Sequence, residues 1–207
     1  MRCSRCKPKR QLIFDGNSLT ANGANALQHG MRWVTTMYPS VIALSAKIPM
    51  QNYALGSQRT ALLTAAFPTK IAPYCRPGDV LVMMEITNEA RDGLSAQQMY
   101  DNYVAYATQA RASGLIVVMC TCPAGKLTTD PADTITRQQA ANALVLANGN
   151  TSWDAVADVG ALTNLNSAAG ITNSTYYNVD ELHLTNVGYD LISPCVFSII
   201  EPFLIAA

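Results

Sequence analysis

Ser113-Gly114-Leu115-Ile116-Val117-Val118-Met119-Cys120 is the stretch from which the fold is read. Every residue from Leu115 to Cys120 is apolar, with β-branched side chains at its centre and no polar alternation. A run of this kind is typical of a strand buried on both faces, and such strands belong to parallel sheets. Immediately before it, residues 95–113 carry the longest helical pattern in the chain. Met99, Tyr103, Tyr106 and Ala110 line one face of that pattern, and Gly114 is a natural C-cap. Helix, glycine, buried strand is half of a βαβ unit.

The same alternation extends outward in both directions. Upstream, residues 11–15 form a short apolar strand pattern followed by a Gly-Asn turn. Residues 24–37 have helical spacing, with Leu27, Met31, Val34 and Met37 on one face, and the pattern is expected to stop before Pro39. A second strand is expected near 48–53 and a helix over 57–67 with Ser57 as its N-cap. Pro77-Gly78 then turns the chain into a strand over 79–86. Downstream, 134–147 reads as helix, 153–159 as a last strand and 164–178 as polar loop. A terminal helix over 187–204 is expected to be interrupted or kinked at Pro194 and Pro202. Strands alternating with helices imply right-handed crossovers, hence a three-layer α/β/α sandwich on a mostly parallel, roughly five-stranded sheet.

A chain of 207 residues suits one domain, since that length buries roughly 70% of its unfolded surface. Residues 11–207 are read as that domain. Residues 1–10, with Arg2, Arg5, Lys7, Lys9 and Arg10, are read as a basic, solvated tail. Lys plus Arg and Asp plus Glu number 14 each, so the charge balance suggests neither a nucleic-acid groove nor an anionic membrane as partner. No apolar run of about 18 residues is present, and no transmembrane helix is expected. Only Leu12-Ile13-Phe14 follows the basic start before Asp15, too short for a signal core of roughly 7–15 residues. A cytoplasmic location is the default expectation, while the Asn- and Thr-rich loops 149–152 and 164–174 would suit an extracellular or virion-associated protein. The tail pair Cys3 and Cys6 has metal-like spacing but no second pair of matching spacing. Cys120 and Cys122 read as buried or half-buried free thiols.

Parallel sheets bind ligands beyond the carboxyl ends of their strands. Ser18, Gly56-Ser57 and Asn88 each follow a strand pattern and fall on that edge. Tyr177-Asn178-Val179-Asp180-Glu181-Leu182-His183-Leu184-Thr185 is a loop able to return to it. The chain has two His; His29 lies in a helical pattern and is read as structural or exposed, which leaves His183. Asp-x-x-His spacing lets the Asp180 carboxylate fold back on the imidazole and hold one tautomer, freeing the other nitrogen for Ser18. Singly these residues have ordinary roles: Ser18 and Asp180 as helix caps, Asn88 as a turn residue. Glu85, Glu89, Arg91 and Asp92 read as a solvated or salt-bridged turn. Ser18 is not in a Gly-x-Ser-x-Gly sequence, which disfavours the nucleophile-elbow hydrolases.

Taken in order, the segments resemble the SGNH hydrolase superfamily, also called the GDSL esterase/lipase family. Gly16-Asn17-Ser18-Leu19 resembles its Gly-Asp-Ser-Leu block, and Asn52-Tyr53-Ala54-Leu55-Gly56-Ser57 its second block. Ile86-Thr87-Asn88-Glu89 resembles Gly-x-Asn-Asp, and Asp180-Glu181-Leu182-His183 with Gly188-Tyr189 resembles the last block. The resemblance implies a flavodoxin-like fold and a Ser18–His183–Asp180 triad. It also implies an oxyanion hole drawn from Ser18, Gly56 or Ser57, and Asn88, with no metal or organic cofactor. Small-molecule or glycan esters are the implied substrates. The absence of a long apolar lid segment favours short acyl groups, as in a carbohydrate O-acetylesterase-like deacetylase; a lysophospholipase or thioesterase is the alternative enzyme, and a catalytically silent glycan-binding module the alternative class. Three positions depart from the family pattern. Asn17 replaces an Asp, Ser57 replaces a Gly, and Ile86 replaces a Gly, which is expected to narrow the space beside the strand end.

Overall fold

A computed structural model describes residues 10–21, 32–44, 48–149 and 151–205. Five strands, β1 (Leu12–Gly16), β2 (Met50–Asn52), β3 (Val80–Met84), β4 (Ile116–Cys120) and β5 (Ala155–Ala157), form one sheet in the order β2-β1-β3-β4-β5. All four pairings are parallel. β1 and β3 are buried along their whole length, as strands sandwiched between helical layers must be. The helices among the described residues are α1 (Ser18–Ala21), α2 (Arg32–Ala43), α3 (Thr60–Lys70), α4 (Thr87–Arg91), α5 (Ala96–Ala112), α6 (Thr134–Ala147) and α7 (Asn186–Ile205). α2 packs with α7, which also rests on β4 and β5; α3 packs with α5, and α5 with α6. The result is the three-layer sandwich that the strand–helix alternation implies.

The chain runs from β1 outward to β2, then crosses back over β1 to β3 and continues to β5. Strand order therefore reverses between β1 and β3. At such a switch point the loops leaving the strand ends part and open a crevice. Ser18 leaves β1 and Asn88 leaves β3, on either side of it.

Several local expectations are corrected. The helix read over 24–37 overlaps residues outside the described set, and its visible part, α2, does not stop before Pro39 but continues to Ala43. Burying Val34, Met37 and Val41 is worth about 1.5–3 kcal/mol each, against the ~3 kcal/mol that a mid-helix proline costs. Likewise α7 is one helix of 20 residues through Pro194 and Pro202. By length and composition it could cross a membrane, yet Tyr189, Ile192, Val196, Ile200 and Leu204 along one face are buried in the core. Ser57 is not the N-cap of α3. The helix begins at Thr60 with Arg59 in the cap position and no side-chain cap of its own. Its first free amide, Thr60 N–H, instead donates to Glu89 Oε1 of α4 at 3.1 Å. β3 ends at Met84 rather than 86, because Ile86 turns into the left-handed region (φ +61°). In α5, by contrast, Ser95 and Gln98 form the full capping box.

Candidate active site

The turn after β1 is tight. Gly16 has φ +144°, and a Cβ there would lie 2.2 Å from the Met84 carbonyl oxygen, so β1 and β3 can run this close only with glycine at the position. Asn17 then takes the capping role that a serine in this position would ordinarily take. Its Oδ1 accepts from Leu19 N–H at 2.9 Å, and its carbonyl accepts from Thr20 and Ala21. Ser18 is released from capping.

The Ser18 hydroxyl lies 2.9 Å from His183 Nε2, and His183 Nδ1 lies 2.7 Å from Asp180 Oδ2. Asp180 accepts at both oxygens: Oδ1 takes the backbone N–H of Leu182 (3.1 Å) and of His183 (2.9 Å). Burial works to raise its pKa, but the hydrogen bonds from the His183 ring and from these two amides outweigh it and hold the carboxyl below its ordinary value. An ionised Asp180 keeps the proton on Nδ1, so Nε2 faces the Ser18 hydroxyl as an acceptor. Only 7% of His183 is exposed. The loop is fixed from outside as well. Tyr177 pairs with Leu184, and its hydroxyl donates to the carbonyls of Ala124 (2.6 Å) and Leu165 (3.2 Å) beyond β4. Lys126 N–H donates to the carbonyl of Glu181, a residue held at φ +57°.

The second loop, residues 53–59, is tied to the Ser18 turn by Leu55 N–H donating to Gly16 O (3.1 Å) and by Asn52 Nδ2, at its start, donating to Thr20 O (2.8 Å). Gly56 and Ser57 are exposed. Ser57 occupies the left-handed region (φ +61°), a conformation a glycine would take at less cost. The third loop carries Asn88, only 3% exposed. Its Nδ2 donates to Gln58 O (2.8 Å), and its Oδ1 accepts from Arg91 Nη1 (3.1 Å).

Beneath these loops lies a feature the sequence reading missed. Arg91 and Asp92 are indeed salt-bridged, to Asp130 and Arg59. Glu85 and Glu89 are not a solvated turn: they are 0% and 1% exposed. Glu85 Oε1 accepts from Asn17 Nδ2 (3.3 Å) and from Asn88 N–H (3.0 Å), and Thr60 Oγ1 stands 3.5 Å from Oε2. One carboxyl thus joins the Ser18 turn, the start of α3 and the Asn88 loop. Burial, then the neighbouring Glu89 carboxyl, push Glu85 well above the ordinary carboxylate range. Asn17, where the family pattern has Asp, supplies the donor that this acidic neighbour needs. The one sequence signal was a carboxylate placed directly after an apolar strand.

Ile86, like Ser57, has a positive φ (+61°), but it is fully buried. Among the described residues, Cys75, Cys120, Cys122 and Cys195 are free, and no group of three or more His, Cys, Asp or Glu could hold a metal ion. His29, Cys3 and Cys6 lie outside the described residues.

No family model and no curated protein matches the sequence. Solved structures do. The protein TesA superposes with a TM-score of 0.74 at 17% identity, over 94% of this chain and 100% of that one. A lipolytic protein of the G-D-S-L family from Veillonella parvula gives 0.72 at 18% identity, over 91% and 97%. The chain has the SGNH hydrolase fold. A third neighbour, a mutant of an acetyl-xylooligosaccharide esterase from Geobacillus, gives 0.69 at 12% identity, over 92% and 94%.

Proposed function

We propose that this SGNH-fold protein is a serine esterase that transfers an acyl group from an ester to water. The observation that carries the reading is the unbroken array Asp180–His183–Ser18, with contacts of 2.7 and 2.9 Å. His183 Nε2 takes the Ser18 proton as Oγ attacks the ester carbonyl, and Asp180 stabilises the imidazolium. Collapse of the tetrahedral intermediate expels the alcohol, which leaves with the proton from His183. Water then attacks the acyl-serine with His183 again as base, and Ser18 recovers its proton. The oxyanion is held by the Ser18 N–H, by the N–H of Gly56 or Ser57, and by the amide hydrogen of Asn88 that Gln58 does not use.

Short acyl esters, and acetylated carbohydrates in particular, are the proposed substrates; the fold neighbour acting on acetylated xylooligosaccharides supports that choice. One observation favours a second reading, a longer-chain lysophospholipase or thioesterase. A hollow of about 350 Å³ is lined by Val34, Tyr38, Ile48, Pro49, Met50 and Asn52, the last with its side-chain amide bonded to Thr20 O of α1. Fluorophosphonate labelling of the wild type against Ser18→Ala, followed by an ester panel graded in acyl length, tests both. Ser18-dependent labelling with highest kcat/KM on acetyl esters is expected. No Ser18-dependent adduct would favour a silent glycan-binding module, and preference for octanoyl or longer chains would favour the second reading.

A further inference from the structure

We propose that Arg91 is a positioning residue for the oxyanion hole, acting by fixing the orientation of the Asn88 carboxamide; the inference rests on the esterase reading above. The Asn88 amide is clamped at both ends. A guanidinium can only donate and a backbone carbonyl can only accept, so Arg91 Nη1 on Oδ1 (3.1 Å) and Gln58 O on Nδ2 (2.8 Å) admit one amide orientation. Flipping the amide would set NH₂ against guanidinium and oxygen against oxygen. With one Nδ2 hydrogen given to Gln58, the other is the hydrogen left for an oxyanion. A charged donor on Oδ1 also polarises the amide and strengthens that remaining N–H as a donor.

Arg91 is itself anchored. Its Nε donates to Asp130 Oδ2 at 2.6 Å, and the same oxygen accepts Leu127 N–H at 2.6 Å. Arg91 and Asn88 are three residues apart on α4, hence on one helix face. The Arg91 side chain is 24% exposed and its partner Asp130 only 9%, so Arg91→Ala leaves a largely buried carboxylate without its cation, and the folded state of the variant must be read alongside its activity.

The test is a double-mutant cycle on the full chain with a chromogenic acetyl ester: wild type, Arg91→Ala, Asn88→Ala and the double variant, each checked by thermal melting. Arg91→Ala is expected to lower kcat about tenfold with KM within about threefold, in the range of coupling found for residues sharing one hydrogen-bond network. In the Asn88→Ala background the same change should cost less than about twofold, because nothing is left to orient. Arg91→Lys, which can still donate to Oδ1, should recover part of the loss. Equal loss in both backgrounds, or kcat for Arg91→Ala within about twofold of wild type, overturns the inference. An unchanged kcat for Asn88→Ala instead removes Asn88 from the proposed oxyanion hole, a separate failure that the cycle reads directly.

Discussion

Glu85→Gln is the substitution whose outcome the structure constrains most tightly. The ordinary pKa of the Glu85 carboxyl is 4.5, and in the fold it is raised well above that, chiefly by burial and then by Glu89. Above pH 4.5 the unfolded chain releases this proton while the folded chain keeps it. The folded state then binds more protons, so wild-type stability falls as pH rises from 4.5 until Glu85 ionises in the fold. Glutamine binds no proton, and the difference between variant and wild type should grow with pH by up to about 1.4 kcal/mol per unit. Glu89, raised chiefly by its own burial, is present in both proteins and largely cancels from the difference.

The substitution has a pH-independent cost as well. The introduced glutamine can still accept from Asn17 and Asn88 and offer a hydrogen to Thr60 Oγ1, but its second amide hydrogen is left buried without a partner, at about 1–3 kcal/mol. The variant should therefore be the less stable protein near pH ~4 and should gain on the wild type as the pH rises. Urea midpoints followed by circular dichroism from about pH 4 to about pH 8 measure this. A stability difference independent of pH would show that Glu85 titrates normally, and a wild-type advantage that grows with pH would show it ionised in the fold.

Asp180→Asn should leave the fold intact and reduce kcat on the order of 10⁴, by freeing the wrong His183 tautomer; turnover of an acetyl ester measures it, and a loss below tenfold would remove Asp180 from the proposed triad. Gly16→Ala should destabilise by more than about 2 kcal/mol in urea unfolding, since the new Cβ meets the Met84 carbonyl at 2.2 Å. Ser57→Gly and Ile86→Gly each relieve a positive-φ backbone, worth about 1–2 kcal/mol, against about 0.5–1 kcal/mol of extra entropy that a glycine loses on folding. Exposed Ser57 should come out near neutral, while buried Ile86 should lose about 2–5 kcal/mol of packing. Equal effects in thermal melts would mean that backbone strain, not burial, governs both positions.

What could be read from the chain and what could not divide along a physical line. The helix over 134–147 was legible to both ends, and Leu115–Cys120 announced a doubly buried strand, because hydrophobic periodicity and caps are properties of adjacent residues. The stop expected before Pro39 and the interruption expected at Pro194 and Pro202 do not occur, because the burial that outweighs a proline depends on partners far away in sequence. The Asp180-x-x-His183 turn was visible because its bonds span three residues.

By itself, then, the sequence determined the layer architecture and the residue types available at the strand ends, since both follow from local pattern. Only the tertiary structure brought Ser18 within 2.9 Å of His183, 165 positions later. It alone buried Glu85 beneath three loops and turned Arg91 from a surface charge into the clamp on Asn88. A carboxylate where an apolar strand gives way to a turn looks solvated from its neighbours in sequence. Whether it is depends on what the other strands of the sheet place above it.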